Sequence, residues 1–491
     1  MRHPILFEIN TRCWLHELSE ASDSRVTLGI VPDEHFREWQ RLGFTHIWLM
    51  GVWTSGKRAR EQELDSADIR TELDLALPGW TKDDVAGSPY SISGYHVPRA
   101  LGGDTGLKRF RSKLHQHGLK LILDFVPNHL APDHPWVATH PERFVQCDST
   151  DASSFIGGSG DYPVRLCNGR DPYFAPWNDT VQLDYRRQDT RTAMLGELES
   201  IAQRCDGVRC DMAMLVINDI FFDTWKEQLC RDTEVTEDFW PTAIHSIREQ
   251  HADFLFLAEA YWNRERQLIQ QGFDFAYHKQ FTDAVIHQRD TVQSVVLSNE
   301  DWLNQSAHFL ENHDEQRVAA ELEPDVHRAA ALAILALPGM RLLHEGQLRG
   351  WKIKTPVRLA LRQREETDVR IAQMYEQLIT TLNKTSVGNG DHMFLKPGPA
   401  WDENETSRWM LLIEWHAGPD QFHLVAINFA PHRSQCYAAI TAGNLAQHAW
   451  RMNDLLSDES YERDGEALQF DGLYLDLPAY GAQCFEFNPI K

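Results

Sequence analysis

Cys205-Asp206-Gly207-Val208-Arg209-Cys210-Asp211 reads as a buried strand that ends in an arginine and a carboxylate two residues apart. Strand side chains alternate between faces, so Arg209 and Asp211 point the same way. A guanidinium beside a carboxylate favours its ionised form, which suits a nucleophile and not a proton donor. The donor is therefore expected on another strand. Three further runs offer one: Leu121-Ile122-Leu123-Asp124-Phe125-Val126-Pro127-Asn128-His129, Phe254-Leu255-Phe256-Leu257-Ala258-Glu259 and His308-Phe309-Leu310-Glu311-Asn312-His313-Asp314. Four apolar runs that each finish in Asp, Glu or His ask for one explanation.

Their spacing supplies it. Asp211 and Glu259 are 48 positions apart, and Glu259 and Asp314 are 55 apart; a strand-helix unit takes roughly 30 residues or somewhat more. One unit fits the first gap, and two tight units fit the second if Gly272-Phe273-Asp274-Phe275-Ala276 is a strand between them. Upstream, Ile5 to Asn10 and His46 to Gly51 read as strands, with a helix after Asp33 in which Phe36, Trp39 and Leu42 recur at three and Gly43 stops the pattern. Gly106 to Gly118 and Val326 to Leu337 read as helices, and Met340 to Glu345 as a last strand. Eight strands alternating with helices predict a (β/α)₈ TIM barrel over residues 1–129 and 189–385, with acids at the carboxyl ends of its strands, where barrel chemistry sits.

Two stretches do not fit an ordinary connection. Val52 to Ser88 reads as a long irregular loop that walls a site, and Leu130 to Gln188, rich in Pro, Asp, Gly and Trp, as a small inserted B domain over 130–188. Past Ser386, the short runs Trp409 to Glu414, His423 to Asn428 and Cys484 to Phe487 predict a C-terminal all-β sandwich over 386–491.

Composition narrows the partners. The 491 residues carry 48 Lys and Arg against 72 Asp and Glu, a net charge of −24, which argues against nucleic acid or an anionic membrane. No run reaches the ~18 apolar residues of a membrane span, and Met1 to Glu8 lacks a signal-peptide pattern, so a cytoplasmic location is expected. Eight cysteines without a C-x-x-C pair read as free buried thiols, not as metal ligands or disulfides. A neutral substrate remains. Sixteen Trp, 23 Phe and 12 Tyr are compatible with sugar stacking, though such residues are more often core.

Two carboxyl groups across a glycosidic bond can split it, one attacking and the other protonating the departing oxygen. Glu259, buried at the end of an apolar strand, is expected to have the raised pKa a donor needs, and Asp211 to stay charged beside Arg209. Asp314, His129 and His313 are left to hold sugar hydroxyls and to stabilise positive charge on the ring.

Taken in order, the four segments resemble the four signature regions of the α-amylase superfamily of glycoside hydrolases: Asp124 to His129, Gly207 to Asp211, Glu259, and Phe309 to Asp314. Pro89-Tyr90-Ser91-Ile92 and Leu183-Asp184-Tyr185 are similar to accessory regions of that family. The resemblance implies Asp211 as nucleophile, Glu259 as general acid/base and Asp314 as transition-state stabiliser. It implies Tyr90 stacked on the sugar, with His129, Arg209 and His313 bound around it. Trp262 and Tyr261, just past Glu259, either flank the leaving-group subsite or pack.

The chain also departs from the pattern. Met214-Leu215 replaces a Lys-His pair common in starch-active members, which alters the acceptor side. That histidine often accompanies a structural calcium; although Asn128 holds another familiar calcium position, no metal and no cofactor are assigned. The expected activity is a retaining glycosidase on α-glucosidic linkages of oligosaccharides or α-glucans, through a glycosyl-Asp211 intermediate. Its rivals are transfer to a sugar acceptor or isomerisation and, from another class, a silent barrel that only binds carbohydrate. Oligomeric state is not legible.

Overall fold

The computed structural model describes residues 3–147, 153–159, 162–228, 237–418 and 421–490. Eight parallel strands close into a barrel: β1 Ile5–Asn10, β2 His46–Met50, β3 Lys120–Phe125, β4 Gly207–Cys210, β5 Leu255–Ala258, β6 Phe275–Tyr277, β7 Ser306–His308 and β8 Met340–His344. Each pairs with its neighbours in sequence, and β8 closes on β1 with Ile5 opposite Arg341. Closure removes every free sheet edge. Inside lies an apolar plug that includes Leu6, Trp48, Ile122, Leu257, Tyr277 and Leu342, so the barrel is packed and not a pore. Gly207 opens β4 because a Cβ there would stand 2.6 Å from the Leu255 carbonyl oxygen across the strand pair.

The eight-strand count and its alternation with helices hold. Two local expectations do not. Val52 to Ser88 is not irregular: it contains helices Lys57–Asp65 and Ala67–Ala76, joined at Ser66, whose hydroxyl accepts the Ile69 N–H. Its high charge hid them, because the apolar stripe that seats them is short: Leu64 and Leu73 pack with Val85 and Leu359 in a satellite cluster. The last signature run is also not a strand to its end. β7 stops at His308, and Asp314 lies six positions beyond, in a turn where Asn312 Oδ1 accepts the Asp314 and Glu315 N–H groups at 2.8 and 3.0 Å.

Between β3 and β4 the chain leaves the barrel. His129–Leu130 pairs with Val181–Gln182, and a hairpin joins Ser154–Ser159 to Tyr162–Cys167. The C-terminal part forms a six-stranded and a three-stranded antiparallel sheet that face each other across Leu412, Leu424, Cys436, Leu475 and Phe487. One face of the larger sheet continues the barrel's own core through Ile413, Trp415, Val425 and Cys484. Trp415 is fully buried and donates from Nε1 to the Ala336 carbonyl at 3.0 Å. Trp415→Ala is therefore expected to destabilise the protein by about 3–5 kcal/mol in chemical denaturation followed by circular dichroism. A loss below about 1 kcal/mol would show that the two parts do not share a core.

No helix among the described residues is long and apolar enough to cross a membrane. Cys13, Cys147, Cys205, Cys210, Cys436 and Cys484 are free thiols.

Candidate active site

Asp211 is the first residue past β4 and Glu259 the first past β5, so the parallel pairing of those strands places both carboxyl groups at one rim. Arg209, inside β4 and inaccessible to solvent, reaches both. Its Nη1 donates to Asp211 Oδ1 at 2.7 Å, while its Nη2 lies 2.7 Å from Glu259 Oε2 without hydrogen-bond alignment. The guanidinium is held under the rings of Trp48, Tyr90 and Tyr277, with centroids 5.4, 5.1 and 5.9 Å away. One cation thus serves two acids.

Asp211 is expected from the sequence to stay charged beside Arg209; in the structure burial pushes it up, Arg209 pulls it down, and the net shift is upward. Glu259 is raised to about 7, again by burial first; Arg209 opposes this and the Asp211 charge reinforces it. Glu259 Oε2 accepts the Met212 N–H at 2.6 Å, and Oε1 accepts the Tyr261 hydroxyl at 2.9 Å. The N–H and the guanidinium both favour charge on Oε2. Met212 supplies its N–H from a left-handed conformation, φ 41°, and Trp262 and Asn263 follow suit at 61° and 59°. Three strained non-glycine residues within four positions of the two acids mark a backbone shaped by the site.

Asp314 stands apart, with 46 % of its side chain exposed. Burial would raise its pKa, but the charge and hydrogen bond of His313, 3.0 Å away, carry it well below the usual carboxylate range. Burial would likewise lower His313; Asp314 and Glu8 outweigh it and lift the imidazole to about 10. Glu8 was not singled out from the sequence. Its Oε1 lies 2.5 Å from His313 Nδ1, and His313 Nε2 lies 2.7 Å from the Tyr90 hydroxyl, with the two rings stacked at 5.3 Å. The available signal was the one acid interrupting the apolar run Ile5 to Asn10, which turns out to point into the barrel, 0 % exposed. Glu8→Gln should lower the His313 pKa and reduce turnover by the about 1.5–3 kcal/mol that a hydrogen bond to a charged group is worth. Histidine NMR titration checks it; an unmoved His313 would remove Glu8 from the site.

His129 lies four positions past β3, hydrogen-bonded to the Tyr90 backbone, its ring tilted against Trp177 at 5.1 Å; burial lowers it to about 4, so it is neutral. Trp262 meets the exposed Tyr173 edge-on at 4.8 Å. Asp124 ties the strand ends together: its carboxylate accepts Trp48 Nε1 and the Gly51 N–H, and its carbonyl accepts Trp53 Nε1. Arg317 pairs with buried Glu311 at 2.6 Å. Met214 and Leu215 are both buried in a 3-10 turn just past Asp211.

The position where the resemblance allows calcium is differently used. Asn128 Oδ1 accepts Gln182 Nε2 at 2.9 Å. Among the described residues, no group of three or more His, Cys, Asp and Glu could hold a metal.

The alpha-amylase MalA of Haloarcula japonica is 25% identical over 280 residues, 54% of this chain and 37% of that one. The alpha-1,4-glucan:maltose-1-phosphate maltosyltransferase of Myxococcus xanthus is 28% identical over 246 residues, 48% of this chain and 30% of that one. The chain thus spans about a third of the length of these relatives. Among solved structures, the maltogenic alpha-amylase AmyB of Thermotoga neapolitana superposes with a TM-score of 0.68 at 18% identity, covering 99% of both chains. A family model, alpha amylase, catalytic domain, matches residues 33–407, well over half of the 491. This chain belongs to the alpha-amylase catalytic-domain family.

Proposed function

We propose that the protein is a retaining glycosidase that cleaves α-glucosidic linkages of oligosaccharides or α-glucans through a covalent intermediate on Asp211. The observation that carries this reading is the single guanidinium of Arg209 spanning Asp211 and Glu259. An arginine in contact with both keeps the two carboxyl groups near each other, compatible with the about 5–5.5 Å separation of retaining enzymes. Asp211 attacks the anomeric carbon while Glu259 gives its proton to the leaving oxygen; Glu259 then takes a proton from the incoming acceptor. Asp314, ionised beside His313, faces the positive charge that builds on the ring. Tyr90, His129, Arg209 and His313 hold that sugar, and Trp262 with Tyr173 lines the leaving-group side.

Transfer to a sugar in place of water is the second reading, supported by the match to a maltosyltransferase. Incubation with maltooligosaccharides, trehalose, sucrose and aryl α-glucosides tests the first reading; reducing sugar alone at high acceptor concentration supports hydrolysis, and new longer oligosaccharides support transfer. Tight sugar binding without turnover across that panel would leave only a binding barrel.

A further inference from the structure

The C-terminal part carries a cleft of about 570 Å³, within the size range of ligand pockets, and none of the active-site residues line it. It lies where both antiparallel sheets end: strands Ser460–Asp464 and Leu473–Leu477, each the last of its sheet, contribute to the lining, and Arg328 joins them from the barrel helix Pro324–Ala336. The floor is the sandwich core, through Met452, Leu475, Leu477 and Phe485, all buried, while Ser457 and Glu459 at the margin are exposed. Two sheet edges left open over an apolar floor are a liability that a protein normally covers.

The charged groups of the lining cancel. Arg328, Arg433 and Arg463 share it with Asp454, Glu459 and Asp476, so the cleft has no net attraction for an anion or a cation. What it offers is hydrogen bonding and aromatic surface. Arg433 Nη1 lies 3.0 Å from Asp476 Oδ2, and Gln435 Nε2 donates to Asp476 Oδ1 at 3.2 Å. Arg328, half-buried, enters no hydrogen bond or ion pair among the described residues, which leaves its guanidinium donors free. Tyr461 alternates with Glu462 along its strand and so shares a face with Arg463, whose guanidinium is 5.2 Å from the ring centroid. Tyr474, 43 % exposed, stands opposite Tyr437, 37 % exposed, with ring centroids 5.5 Å apart. The aromatic surface thus continues from the cleft onto the outer face of the smaller sheet. A neutral chain of rings with apolar faces and hydroxyl edges uses all of these groups at once.

We propose that this cleft is a second glucan-binding site, separate from the catalytic centre, which seats an α-glucan chain against Tyr474 and Tyr437 and binds its hydroxyls through Arg328 and the Arg433–Asp476 pair. The ligand class rests on the α-glucan reading above; the site itself rests on the cleft. Because Arg328 belongs to the barrel and the tyrosines to the sandwich, a chain bound there spans the joint between them and keeps polymer at the enzyme while another segment is cleaved.

Native electrophoresis of the full chain through gels with and without amylopectin tests it, beside turnover of 4-nitrophenyl α-maltoside in solution. Wild-type protein is expected to be retarded by the polymer. Tyr474→Ala should weaken that retention roughly 3–10-fold, the worth of one stacking ring, and Arg328→Ala about tenfold. Both variants should keep wild-type mobility in the polymer-free gel and wild-type turnover of the small substrate, which shows that they fold. Phe470→Ala, which removes an exposed aromatic of the same part that does not line the cleft, should be retained as wild type is. Wild-type protein that runs alike in both gels, or cleft variants retained as strongly as wild type, would overturn the second site and leave the glycosidase reading standing. Retention lost in the cleft variants without turnover of the maltoside by any of the proteins would support the site and overturn the glycosidase reading.

Discussion

Asp211→Asn is expected to lower turnover of any α-glucoside the protein cleaves by about 10⁴-fold or more, because the neutral amide cannot form the glycosyl bond proposed for Asp211. Asn is nearly isosteric and can still accept the Arg209 Nη1 hydrogen bond, so the loss should arise without unfolding. Arg209 also keeps its Glu259 contact. A second consequence separates this from general damage. The Asp211 charge is one of the influences that raise Glu259, so its removal should lower the Glu259 pKa below about 7. Steady-state rates measure the first effect, and carboxyl titration by NMR the second. Turnover within tenfold of wild type would remove Asp211 from the nucleophile's role.

Glu259→Gln should cost about 10²–10⁴-fold on natural oligosaccharides, whose leaving oxygen must be protonated. On an aryl glucoside with an acidic leaving group the bond-breaking step should be nearly spared, and deglycosylation should become limiting. The wild-type pH profile follows from the same residues. Activity requires Asp211 ionised, so it rises through a limb above the ordinary carboxylate range; it requires Glu259 protonated, so it falls as pH passes about 7. The optimum is therefore on the acid side of neutrality. In Glu259→Gln the alkaline limb should disappear. Its persistence there would assign that limb, and the proton donor, to another group.

Both predictions turn on a comparison that strand spacing alone could not make. Periodicity showed eight strands, because a strand buried on both faces reads as a continuous apolar run and its helix as a 3.6-residue repeat; Ile5 to Asn10, His46 to Met50 and Gly207 to Cys210 are legible for that reason. Helices Lys57–Asp65 and Ala67–Ala76 were not, since they bury few apolar residues and owe their place to Arg358, nearly 300 positions away. Asp211 and Glu259 were legible as acids directly after apolar runs. Glu8 was not, because an acid within a strand shows nothing of its direction until barrel closure turns it toward His313.

What the amino-acid order determined by itself is therefore the parallel barrel, the antiparallel C-terminal sheets and the acids at the strand ends, all of which depend on near neighbours in sequence. What only the tertiary structure decided is the electrostatics: that Arg209 is divided between two carboxyl groups, that His313 is clamped between Glu8 and Asp314, and that Met214 and Leu215 are buried. The physical reason is that charge interactions and desolvation depend on distance and burial in space, and in a closed barrel the groups that matter most to each other come from β1, β4, β5 and the turn after β7.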